Sequence, residues 1–310
     1  MALTLIEAAK IALGRDESLK AAIMELYARS SDVLQYIPFE SITGNALAFN
    51  REKTLPTVGF RGVNEAYTEG AGKVDPITER LTIAGGDVDV DKFLVDTGGP
   101  DQRSTQEAMK IKALSLAMTK QIIKGDTTSD PKGFDGLQAR VTDSSLLIAN
   151  HASSATPLSL VKLDEAIDAC EDPTHLIMNK TMRRRLTVAA RTYTVGGFIT
   201  WDVDAFGRRV TKYNDLPILI ADKDNNNDDI MGFDETDVAA GSVGSSVYAV
   251  SFNETGVVGI QNGEMDVRDL GEIDTQPVYR TRIEWYITLA VFRFKAASRL
   301  WGFKDGVVTA

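Results

Sequence analysis

Apolar positions near the start of the chain keep a helical period. Residues 3–13 and 17–29 read as two short helices separated by Gly14, with Asp16 placed to cap the second. In that second helix Leu19, Ile23, Leu26 and Tyr27 share one face, and Glu17 and Lys20 lie off it. Such a segment packs on its own domain or, as an arm, on a neighbour. Pro38 then fixes an extended entry into Phe39–Thr43. Between 46 and 96 the period changes. Strand-like pieces at Thr57–Arg61, Glu79–Ala84 and Asp87–Val95 lie among Gly59, Gly62, Gly70, Gly72, Gly85 and Gly86. The run Asp87-Val88-Asp89-Val90-Asp91 alternates strictly, with valines on one face and carboxylates on the other. Residues 62–78 are too long and too polar for a hairpin turn. A two-stranded ribbon is not stable alone, so something must cover it.

The strongest helix is 101–124, capped by Asp101 or Ser104 and stopped by Gly125. Ile111, Leu114, Met118 and Ile122 form its apolar stripe, while Lys110, Lys112, Lys120 and Lys124 occupy other faces. It spans about 35 Å, the length of a domain. After a turn-rich piece at 127–141, a short strand is expected at Leu146–Ala149. From about 157 helix and strand alternate: helix Leu158–Cys170, buried strand His175–Met178, basic helix Thr181–Thr192, a turn at Gly207 and strand Leu216–Ala221. Strands Tyr248–Phe252, Val257–Ile260, the long Val278–Phe294 and Leu300–Phe303 complete a mixed pattern without an internal repeat.

Composition narrows the function classes. The 310 residues are 43% hydrophobic and 25% charged, which suits one or two globular domains and excludes a disordered or fibrous chain. The net charge of −10 argues against a protein that coats itself with nucleic acid. Cys170 is the single cysteine, so no internal disulfide framework exists. The first residues, interrupted by Glu7, Lys10 and Arg15, are not expected to be a signal peptide, and no stretch is apolar enough to suggest a membrane span.

Candidate chemistry is sparse. His175 lies in the apolar run HLIMN and reads as a core histidine; His151 sits in a loop and reads as exposed. Two carboxylates follow Cys170, the opposite of the electropositive setting that a reactive thiolate needs. Phosphate-cradling and zinc motifs are absent, so no cofactor or metal is implied. The loop Asp222–Asn227 resembles the start of a calcium loop, but Asn227 replaces its glycine and Phe233 its closing glutamate. Arg183, Arg184 and Arg185, with Lys180 and Arg191, form the one basic concentration: a solvated face or a basic intersubunit contact, and no aromatic platform accompanies it.

The order of parts resembles a tailed-bacteriophage major capsid protein of the Hong Kong 97 fold. The resemblance is carried by NREKTLP after Phe49, VGFRGVNEAYTEG (58–70), PITERLTIAGGDVDVDKFLV (76–95) and QEAMKIKALSLAMTKQIIKGD (106–126). It continues in DPKGFDGLQAR (130–140), LIMNKTMRRRL (176–186), YNDLPILIAD (213–222) and YITLAVFRFKAASRLWG (286–302). It implies an α+β capsid fold with an N-terminal arm (1–45) and an extended β-ribbon loop (46–90) that lies across an adjacent subunit. A peripheral domain with a spine helix follows (91–149, helix 101–124), then a mixed α/β axial domain (150–262). A peripheral return (263–296) and a C-terminal strand joining the axial domain (297–310) complete it.

The resemblance further implies intersubunit contacts from Arg61, Glu65, Tyr67, Glu69, Lys73 and Glu79, and no catalytic residue. Gly59, Gly62, Gly85 and Gly86 would supply the bend that differing five-fold and six-fold environments demand. Some relatives cross-link a loop lysine to an asparagine. Lys73 stands in such a place, and the sequence identifies no partner for it. The expected role is self-assembly into pentamers and hexamers of an icosahedral shell in the virion, built in the host bacterial cytoplasm. Packaged double-stranded DNA would be contained without sequence-specific binding, and the like charge would keep the lumen from gripping it. Portal, scaffold or decoration proteins are the expected partners, with no membrane; little of the chain is left for a scaffolding segment of its own. The alternatives are an encapsulin-type compartment shell and, more remotely, a mixed α/β hydrolase or binding protein.

Overall fold

The computed structural model describes residues 3–14, 22, 26, 30–98, 101–151, 156–191, 199–203, 206–236 and 243–309, without the side chains of 8, 11–14, 98, 101 and 102. The expected helix at 17–29, with its Asp16 cap, falls largely outside them. Helix α1 (Leu5–Gly14) leads to the short α2 (Asp32–Tyr36), whose cap Ser31 accepts a bond from Leu34 N. The spine helix, α4 (Asp101–Lys124), has the expected span, and Ile111, Met118 and Ile122 of its stripe are buried. Gly125 does not end it by a left-handed turn. Its N–H still bonds Gln121 O, and the loop passes so close that a Cβ there would lie 2.4 Å from Phe134 O.

Two sheets organise the body. The first has five strands, in which β15 (Gln276–Val291) pairs with β4 (Thr82–Asp91), β13 (Val257–Gln261) and β14 (Asp266–Ile273), and β1 (Phe39–Ser41) pairs with β13. The second has nine strands. Its main path runs β5 (Leu147–Ala149), β16 (Ala297–Thr309), β12 (Val243–Val250), β7 (His175–Met178), β10 (Leu216–Ile220), β9 (Arg209–Tyr213), β8 (Ile199–Val203). Strands β6 (Thr156–Ser159) and β11 (Glu235–Thr236) pair with β16 and β12.

Both faces of the nine-stranded sheet are covered at β7, which explains that strand's unbroken apolar run. Leu176 and Met178 join the core under α6 (Leu160–Ala169) and α7 (Lys180–Ala189). Ile177 joins the core shared with α4 and the five-stranded sheet.

The pairing departs from the expected partition. Strand β4 belongs to the five-stranded sheet, so the excursion assigned to 46–90 ends near Leu81. Strand β13, assigned to the axial part, also lies in that sheet, because Val257–Gln261 pairs with Ile287–Val291. Residues expected to continue a strand as far as Val95 instead form α3 (Lys92–Gly98), begun where Asp91 accepts a bond from Phe93 N.

Candidate assembly interface

The feature that stands out from this body is a two-stranded ribbon, β2 (Ala46–Thr54) against β3 (Lys73–Arg80). The sequence expected a strand at Thr57–Arg61; that segment has no pairing partner and takes no regular structure. Instead the alternation in Ala46–Glu52 turns Leu47 and Phe49 toward Val258, Ile260 and Phe292, where Phe49 meets Phe292 edge-on at 4.8 Å. Arg51 lies 5.7 Å from the centre of the Phe294 ring.

The root is also fixed by charge. Arg140, on α5 (Leu137–Arg140), donates from both terminal nitrogens to Glu79 at 2.5 and 2.9 Å, and both side chains are largely buried. Beyond the root, crevices of about 880 and 570 Å³ flank the ribbon on the body side.

The tip carries its apolar residues in the open. Leu55, Val58, Phe60, Val63 and Tyr67 are all more than two-thirds exposed, and Phe60 wholly so. Burying five such side chains is worth on the order of 10 kcal/mol before the entropic cost of association.

The expected contact residues divide. Arg61 stacks on Tyr67 at 4.9 Å and donates to Glu65 O, while the Glu65 carboxylate accepts from Gly62 N at 2.8 Å. These side chains hold the tip in shape. Glu69 and Lys73 are exposed. Glu79 is engaged within its own chain by Arg140, at the ribbon's root.

The expected bend glycines also divide. Gly59 is open on all sides, and a Cβ at Gly62 would meet only the flexible Glu65 carboxylate, at 3.0 Å. Gly85 and Gly86 sit inside the β4–β15 ladder, opposite Glu284 and Ile283. A Cβ on Gly85 would lie 2.2 Å from Ile283 O, so this glycine permits a close strand approach and is not a hinge.

On the basic helix, Arg185 pairs with Asp305 of the same chain at 2.8 Å, Arg183 is half-buried and Arg184 is exposed. The pair holds the Asp305 carboxyl below the usual carboxylate range. One of the three arginines is therefore satisfied internally.

Sequence reasoning missed the charges that join the spine helix to the nine-stranded sheet. Lys124 makes an ion pair with Glu235 at 3.1 Å, and buried Arg299 bonds the same carboxylate at 2.8 Å and Ser246 Oγ at 2.9 Å. One turn earlier Lys120 reaches Asp224 at 2.6 Å. Asp224 also accepts from the N–H groups of Asn226 and Asp228. An ammonium thus stands where the calcium-like loop would need its cation. Among the described residues no cluster of His, Cys, Asp and Glu has the makings of a metal site.

Elsewhere, His175 is held between Tyr36 and Phe252, and burial pushes its pKa down to about 4. Burial pushes the Cys170 thiol up to about 12. His151, expected to be exposed, is half-buried.

A family model described as major capsid protein GP7 matches residues 15–157. No curated protein matches the chain in sequence. In architecture the chain is similar to the capsid of a native GTA particle, with a TM-score of 0.62 at 14% identity over 89% of this chain and 91% of that one. It is similar to a chain of Mycobacterium phage Bobi, with a TM-score of 0.60 at 14% identity over 89% and 91%. The SrpI encapsulin complex of Synechococcus elongatus PCC 7942 gives 0.60 at 14% over 88% and 87%.

Proposed function

We propose that the chain is a major capsid protein with the Hong Kong 97 fold and that it closes into an icosahedral head shell around the packaged double-stranded DNA of a tailed phage. The observation that carries the reading is the ribbon: a lever fixed at its root, with a bare apolar tip that its own body does not cover. Folding alone leaves such a tip in water, whereas a neighbour removes it. One contact per neighbour suffices, because subunits in a closed shell each make several and their effects compound.

The DNA is contained, not gripped. A net charge of −10 gives the shell little to hold phosphate with, so the packaged strand can move. Portal, scaffold and decoration proteins are the partners this role calls for, and assembly in the host cytoplasm is the setting. The role is structural and calls for no catalytic group; the one cysteine is buried and His175 is held between two aromatic rings, where both serve packing.

The likeness to the SrpI encapsulin gives a second reading, a compartment loaded with protein cargo. The match to a capsid family model favours the phage shell. Negative-stain microscopy of the expressed protein tests the shell: large closed particles are expected, and a sample that stays monomeric at every concentration refutes it. Portal and terminase genes beside this one, against a cargo-enzyme gene, decide between the two shells.

A further inference from the structure

The chain contains a single Asn-Gly pair, Asn262-Gly263. It lies in the turn between β13 and β14, and Gly263 takes the left-handed φ of 73° there. Both residues are exposed. The Gly263 N–H donates to no acceptor among the described residues, whereas Asn262 N bonds Tyr286 O at 3.2 Å. Without a Cβ on Gly263, nothing shields that free nitrogen from the asparagine side chain before it.

The Asn262 side chain also holds a structural contact. Its Nδ2 donates to Gly44 O at 2.8 Å. Gly44, at φ 114°, is a bend in the linker between β1 and β2, the segment that carries the ribbon. One residue back, Gln261 O accepts from Ile42 N at 2.8 Å, and Gln261 Nε2 donates to Ser41 Oγ at 3.2 Å. The linker is therefore clasped to the β13–β14 turn at successive points, and Asn262 makes the clasp nearer the ribbon. Just beyond it Leu81 N donates to Asn45 O and closes the ribbon's root.

We infer that Asn262 is a self-modification site whose amide is converted to a carboxylate by its own chain, unclasping the linker. Gly263 N loses its proton to solvent and forms a bond to Asn262 Cγ. The Cγ–Nδ2 bond breaks, and Nδ2 leaves as ammonia with a proton from solvent. Water then opens the cyclic imide at either carbonyl, to aspartate or isoaspartate. One water enters and one ammonia leaves, and no oxidant or reductant takes part.

The product reverses the contact. A donor gives way to a carboxylate facing Gly44 O, so two acceptors oppose each other. The isoaspartate form also adds a carbon to the backbone of the turn. Each converted chain gains one negative charge. Fresh chains hold the linker clasped and aged chains hold it loosely, a slow clock at the ribbon's root. The inference concerns the chain itself and stands apart from the shell reading.

The test is ageing of the purified full chain in mildly alkaline buffer, followed by peptide mapping with mass spectrometry and isoaspartate detection. Conversion at Asn262 is expected to outrun that at the exposed Asn45, Asn64 and Asn225, which precede Ala46, Glu65 and Asn226. Equal rates at all four, or an unchanged Asn262, overturn the site. Gly263→Asn keeps a residue type that tolerates the left-handed φ and should abolish the lead of Asn262; a lead that persists in this variant overturns the role of Gly263.

Asn262→Asp supplies the product directly and separates the clasp from the chemistry. Amides of 42–54 and 73–81 should exchange about five-fold faster than in the parent chain, while those of α4 and β12 stay unchanged. Asn262→Ala, which loses the donor and adds no charge, should give a smaller rise. Exchange of the linker and ribbon equal to the parent's in Asn262→Asp refutes the unclasping.

Discussion

Arg140→Ala should loosen the ribbon without unfolding the body. The pair it breaks is bidentate, and its side chains are 17% and 12% exposed. Removing one partner of a fully buried pair costs about 3–5 kcal/mol, because the other charge is left stranded. Here Glu79 regains some water, so about 2 kcal/mol is the fitting scale, near a thirty-fold change in a local opening constant. The cost falls on the ribbon because the remaining root contacts, Phe49 on Phe292 and Arg51 on Phe294, are made by β2. Hydrogen exchange resolved by segment checks this. Amides of 46–54 and 73–80 should exchange about thirty-fold faster, while those of α4 and β12 stay as they were. A double-mutant cycle with Glu79→Gln should show coupling of more than about 1 kcal/mol. Unchanged ribbon exchange, or strict additivity in the cycle, would refute the claim that this pair fixes the ribbon.

Three further outcomes follow from the same geometry. Gly85→Val should abolish soluble protein, since its Cβ meets Ile283 O, whereas Gly59→Val should leave monomer yield and melting temperature unchanged; equal yields from the two would be the contrary result. His175 is held neutral, with its pKa about 4 in the fold against about 6.5 unfolded, so the unfolded chain binds more protons between those values. Its contribution is complete above pH 6.5 and is lost as pH falls toward 4, up to about 3 kcal/mol, and denaturant titrations of His175→Phe should show that slope flattened. Arg299→Met strands Glu235 with Lys124 alone and should cost about 3–5 kcal/mol, seen as a drop in melting temperature, while Lys124→Met, at the more exposed end, should cost clearly less.

What the sequence revealed depended on how local each cause was. The spine helix was legible because its stripe, from Ile111 to Ile122, repeats on one face through its C-terminal half. The Asp87–Asp91 alternation was legible for the same reason. Val88 and Val90 are buried, and Asp87 and Asp89 pair across the strand with Arg282 and Arg280. Those arginines hold both carboxyls below their usual range.

The ribbon was misplaced by a few residues because a strand exists only through its partner. Thr57–Arg61 has the right composition and nothing to pair with, whereas Ala46–Thr54 has β3. The Arg140 partner of Glu79 was not legible because it stands 61 residues away. The Lys124–Glu235–Arg299 node was invisible because its members come from three distant segments. Gly85 looked like a bend because glycine in a strand marks either a bulge or a close approach, and only the position of Ile283 O distinguishes them.

A division of labour between body and ribbon is what the proposed self-assembling role requires of one subunit. The body satisfies itself: two apolar cores share the nine-stranded sheet, and the spine helix is pinned to that sheet by Lys120 and Lys124. The five-stranded sheet's open face carries the cross-strand ion pairs Arg280–Asp89, Arg282–Asp87 and Arg268–Glu284, whose charges make most of it a poor surface for a second chain to pair with. The ribbon does the reverse, concentrating bulky apolar side chains where its own chain cannot reach them. Folding energy and assembly energy therefore reside in different residues. A change at the tip should spare the monomer, and a change in the Arg299 node should strike the monomer first. On the proposed shell role each tip contact is modest, so the shell's stability would come from the number of contacts closed at once, and assembly would require enough neighbours to be present.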